Sequence, residues 1–100
     1  MKIPKSIKAF GREYKIVREN STTRKLECWG YFDDMEDTIV LRERSVGFTS
    51  GHERQVFLHE IIHIIETNLP IGLTEEQVQT IAVGLSTIID DNKLDFTDGK

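Results

Sequence analysis

The sequence predicts a small α+β domain, in which an antiparallel sheet of about three strands packs on a central buried helix and on a second, C-terminal helix. Three observations lead there. β-favouring and aromatic residues gather before residue 42, two helix-start signatures stand at residues 50–53 and 74–77, and the apolar stretch 56–65 carries His59-Glu60-Ile61-Ile62-His63. One hundred residues make one domain with a modest two-layer core.

Residues 11–17 follow Phe10-Gly11, contain Tyr14, Ile16 and Val17, and read as the first strand; the sheet begins near residue 8. Residues 26–32, with Cys28, Trp29, Tyr31 and Phe32, read as the second, and the short apolar run 38–41 as the third. Between the last two, Asp33-Asp34-Met35-Glu36-Asp37 is polar enough for a turn, so they form a hairpin. The polar residues 18–24 make a loop or a long hairpin tip. Ser50 as N-cap and Glu53 at N3 open a helix over about 51–67, which Asn68 and Pro70 end. After a turn over residues 69–73, Thr74 and Gln77 form a second capping box and open a helix over about 75–90. Val78, Ile81, Ala82, Leu85, Ile88 and Ile89 recur there at three- and four-residue intervals, and the short turn folds this helix back against the first. The termini, residues 1–5 and 95–100, are the candidates for disorder.

The net charge of −4 argues against a general nucleic-acid binder. Residues 1–25 nevertheless hold eight of the thirteen Lys and Arg, opposed only by Glu13 and Glu19; a basic edge strand, solvated or paired with the acidic remainder, accounts for this better than a docking surface. Cys28 is the single cysteine and cannot form an internal disulfide, which fits a reducing cytosol. With no secretory apolar region and no run of eighteen apolar residues, the expectation is a cytoplasmic protein without a membrane partner.

His59 and His63 stand four apart, so on a helix their imidazoles share one face and reach one metal ion. Glu60 sits on the flank of that pair, where a carboxylate can take a proton from a metal-activated water and return it to a leaving amine. The pattern points to metal-dependent hydrolysis of peptide bonds. Phe57, Leu58, Ile61, Ile62, Ile64 and Ile65 surround the histidines, so burying the three polar groups without partners would cost several kcal/mol; one ion satisfies all three. Catalytic zinc commonly takes three protein ligands. A third histidine six residues after the second is excluded, because that position is Leu69. A carboxylate on the following helix is the other solution, from Glu75 or Glu76. Glu75, sharing a face with Val78 and Ala82, is the better placed; Glu76 points with Gln79 and Val83. Ordinary acidic enrichment at a helix start would explain either one without a metal.

Leu58-His59-Glu60-Ile61-Ile62-His63 followed by Glu75-x-x-Val78-x-x-Ile81-Ala82 resembles the core of the ImmA/IrrE family of small gluzincin-type metallopeptidases, found in phages and bacteria. The resemblance covers roughly residues 38–90. In that family a Glu-x-x-Ala-x-x-Phe-Ala segment on the helix after H-E-x-x-H supplies the third zinc ligand, which falls here on Glu75; Val78 and Ile81 depart from the commoner residues. The resemblance implies a minimal zincin-like fold, a bound Zn2+, and a sheet whose edge strand pairs with an extended substrate. It implies a protein or peptide substrate, a transcriptional repressor among the candidates, since some members cut helix-turn-helix repressors.

His52, seven residues before His59, and Tyr31 are candidates for substrate or oxyanion contacts. Tyr14 and Trp29 are candidates to line the cleft, although helix-start polarity for His52 and core or sheet packing for the aromatics account for the four better. Cys28 reads as a small buried apolar residue in preference to an inhibitory ligand. The competing function is a metal-binding regulatory or interaction module on the same scaffold without appreciable turnover, and an intact Glu60 weighs against it.

Overall fold

A computed structural model describes residues 2–19, 29–43 and 47–94. The chain is α+β, with strands β1 (Ser6–Ala9), β2 (Arg12–Glu19), β3 (Gly30–Asp33) and β4 (Thr38–Arg42), then helices α1 (Ser50–Asn68) and α2 (Glu75–Asn92). Four strands stand in the order β1-β2-β4-β3 where three antiparallel ones were expected. The extra strand comes from Phe10-Gly11: both residues have positive φ, 55° and 77°, the backbone that two-residue hairpins require, and so β1 folds back on β2. Ile3 packs on the core and the Lys5 carbonyl accepts from the Ile16 N–H, so the segment before β1, expected to be disordered, is tied to the sheet at these two points.

The second correction is of direction. β2 and β4 pair in parallel, with Ile16 opposite Ile39 and Val17 opposite Val40, while β3 pairs antiparallel with β4 across the expected acidic turn. Ile39, Val40 and Leu41 are all buried, and this continuous apolar run takes an inner position, leaving the more polar β3 at the edge. β2 includes Arg18 and Glu19, which the sequence assigned to a loop. The basic first quarter is partly paired: Arg12 with Asp37 at 3.4 Å, and Arg18 with the buried Glu53.

The middle layer is α1. One side sends Phe57 and Ile64 into the sheet against Tyr14, Ile39 and Leu41; another packs Leu58 and Ile62 on Val78, Ala82 and Ile89 of α2. Thr49, one residue before the expected Ser50, is the N-cap of α1, accepting from the His52 N–H at 3.2 Å. The capping box of α2 is as expected, Thr74 accepting from the Gln77 N–H and Gln77 from the Thr74 N–H. Gly30 lets the edge strand lie against α1: a Cβ there would come within 2.9 Å of the Val56 side chain and 2.8 Å of the Val40 carbonyl oxygen. Among the described residues no helix is long and apolar enough to cross a membrane.

Candidate metal centre

A cleft of about 1020 Å³ runs along α1, with the end of the sheet at β3 as one wall and the start of α2 as the other. His59 and His63 project into it from α1, their ring centroids 5.0 Å apart as the four-residue spacing requires. From α2, Glu75 reaches both: Oε1 lies 3.1 Å from His59 Nε2, and Oε2 lies 3.0 Å from His63 Nε2. Those separations suit one ion, since two donors each about 2.05 Å from a tetrahedral zinc stand roughly 3.3 Å apart. His59, His63 and Glu75 are thus a group that could hold a metal ion.

The outer nitrogens strengthen the fit. His63 Nδ1 lies 2.9 Å from Glu66 Oε1, and His59 Nδ1 lies 2.8 Å from Gln79 Oε1. An ionised carboxylate and an amide oxygen only accept, so with an ion between the Nε2 atoms and Glu75 each imidazole would carry its proton on Nδ1 and turn its Nε2 lone pair toward that ion. Glu66 also accepts from the Leu73 N–H at 2.9 Å, joining a histidine of α1 to the turn that launches α2. That backbone bond, followed by the one with His63, holds the Glu66 carboxyl below the ordinary carboxylate range.

Glu60 is buried yet borders the cleft. Burial pushes its carboxyl above the ordinary range, an effect which His59 and His63 oppose and Glu75 adds to. A carboxyl held above its ordinary range beside two imidazoles suits proton transfer.

The structure brings His59, Glu60, His63 and Glu75 together. Glu76 lies apart, on the surface beside Leu73, Gln77, Thr80 and Ile81. His52 borders the cleft two turns before His59, with its ring packed on Trp29 and Phe48. Tyr31 borders it too, but strand alternation sets Tyr31 opposite Val40, on the other face from Gly30 and Phe32. Tyr14 is fully buried in the core, its hydroxyl accepting from Asn68 Nδ2 at 3.1 Å. Cys28 lies outside the described residues.

Two partners escaped the sequence reading. Glu66 follows His63 by three residues and Gln79 follows Glu75 by four, the helix-neighbour spacings that could have found both; Gln79 had instead been grouped with Glu76. Comparison with protein-family models, with curated proteins and with solved structures finds no match.

Proposed function

We propose that this chain is a zinc metallopeptidase acting on a protein or peptide substrate, with His59, His63 and Glu75 as ligands and Glu60 as general base and then general acid. The observation that carries this reading is the convergence of both Nε2 atoms on one carboxylate while both Nδ1 atoms are engaged from behind. Two imidazoles and one carboxylate suit zinc among the common divalent ions. A bound zinc ion supplies Lewis acidity at the scissile carbonyl and makes water a nucleophile at neutral pH.

The chain's residues do the rest. Glu60 takes a proton from the attacking water and delivers it to the departing amine as the C–N bond breaks. Glu66 and Gln79 keep both imidazoles in one tautomer and one orientation. β3 is the last strand of the described sheet, and extended peptides are commonly held along sheet edges. The resemblance to the ImmA/IrrE family favours a regulatory protein as substrate and a cytoplasmic setting.

Native mass spectrometry of wild type and Glu75→Gln tests the reading at its base. One zinc per wild-type chain, weakened or lost in the variant, is expected. A zinc-supplemented wild type that retains no ion would make the histidines structural and overturn it.

A further inference from the structure

The apolar arc of α2 is wider than α1 covers. Val78, Ala82 and Ile89 are buried against Leu58 and Ile62. Beside them Ile81, Leu85 and Ile88 follow at intervals of four and three residues, a single stripe along the helix, and they stand 43%, 41% and 55% exposed. By the helical repeat this stripe lies on the flank of α2 away from Glu75 and Gln79, the residues that meet the histidines, and none of its members borders the metal-site cleft.

Gly84 adjoins the stripe at the middle of α2. Glycine is a poor helix former, and among the described residues nothing lies within 4 Å of a Cβ placed there, so the packing of the chain on itself does not call for it. Bare backbone at that point leaves a notch that a close neighbour can enter. Toward the start of the helix, Leu73, Glu76, Gln77, Thr80 and Ile81 border a hollow of about 330 Å³. A second copy of the helix fits both features. Crossed antiparallel about a two-fold axis between Gly84 and Leu85, Leu85 of each copy enters the Gly84 notch of the other, and Ile88 of each stands level with Ile81 of the other and the hollow beside it. The same register sets the exposed Lys93, the C-cap of α2, level with the exposed Glu76. A parallel pair would instead bring like charges together, Glu75 and Glu76 at one end, Asp90 and Asp91 at the other.

We propose that this flank of α2 is the contact between two copies of the chain, an antiparallel helix pair with its two-fold axis between Gly84 and Leu85. A two-fold contact must be complementary to itself, and a stripe centred on a notch, with a carboxylate before it and an ammonium after it, meets that condition. One helix pair is a small contact, below roughly 1,200 Å², so the dimer forms reversibly with rising concentration. The cleft stays open in both copies, and the contact does not depend on the peptidase reading.

Analytical ultracentrifugation of the full chain tests it. The weight-average mass should climb from one chain toward two between about 5 and 500 µM. Ile88→Glu, which puts a charge into the contact, should weaken association at least about 100-fold with circular dichroism unchanged. Gly84→Gln fills the notch with a better helix former, so association should weaken at least about tenfold while the melting temperature of dilute protein does not fall. A merely structural glycine would not separate those two readouts. Glu76→Lys and Lys93→Glu should each weaken the dimer about threefold, and the two together should recover most of the loss. A chain that stays monomeric throughout the range overturns the proposal. So does a dimer that Ile88→Glu and Gly84→Gln leave intact, since another surface then makes it, and so does growth past two chains, which a closed two-fold contact forbids. Zinc stoichiometry should be the same in Ile88→Glu as in wild type, so failure of the dimer leaves the metal centre standing.

Discussion

Glu53 and Glu60 stand two helical turns apart on α1, and both are buried, at 3% and 7% exposure, yet their surroundings are opposite. Glu53 is ion-paired with Arg18 of β2, so its charge is answered from the sheet. Glu60 faces the cleft beside two imidazoles and a second carboxylate, and burial raises its carboxyl. Burial of a glutamate is therefore not by itself a sign of chemistry. What separates the structural carboxylate from the candidate catalytic one is whether the surroundings settle its charge or leave it open to proton exchange.

The largest expected contrast is in turnover. Glu60→Gln should lower peptidase activity by about 10²–10⁴-fold, the usual range for removing a general base, while zinc stoichiometry by native mass spectrometry stays at wild type. Full activity in that variant would remove Glu60 from the chemistry and erase the distinction. Glu53→Gln should do the reverse, keeping zinc but costing about 3 kcal/mol in denaturant unfolding, because Arg18 loses its buried partner. A Glu53→Gln protein as stable as wild type would show that the pair contributes no net stability.

Glu66→Gln sharpens the comparison from behind the metal centre. Zinc affinity, measured by competition with a chromophoric chelator, should fall about 10–100-fold, since an amide orients His63 less firmly than a carboxylate does. Thr74→Ala, which removes the cap holding the first turn of α2 and thereby Glu75, should cost about 1 kcal/mol of stability. The smallest effect is one of pH. In metal-free protein the raised Glu60 carboxyl favours the folded state when protonated; this contribution is complete below the ordinary glutamate range and lost as pH rises through the raised value. The melting temperature of chelator-treated Glu60→Gln should therefore gain on that of wild type between pH 4 and pH 7. A gap that narrows over this interval would contradict the assigned direction.

Much of the candidate site could be read from local spacing. His59, Glu60 and His63 follow from one helical repeat, and Glu75 from a capping box at Thr74 and Gln77 that recurs unchanged in the structure. Glu66 and Gln79 obey the same spacing rules, yet what marks them is the atom they reach, and that is visible only when Glu66 is seen meeting His63 and Gln79 meeting His59 across the helix pair. Trp29 is similar: its aromatic character suits a strand as well as a cleft wall, and its contacts with Phe48 and His52 come from segments far apart in the chain.

The sequence by itself determined the two helices, their facing apolar stripes, the acidic hairpin turn and the pair of imidazoles, because each depends on residues within about a turn or two of one another. Tertiary structure alone decided that β4 lies between β2 and β3 and that Phe10-Gly11 turns back to add β1. Those outcomes rest on the relative placement of separate segments. That placement minimises the free energy of the whole core, so no window of neighbouring residues encodes it.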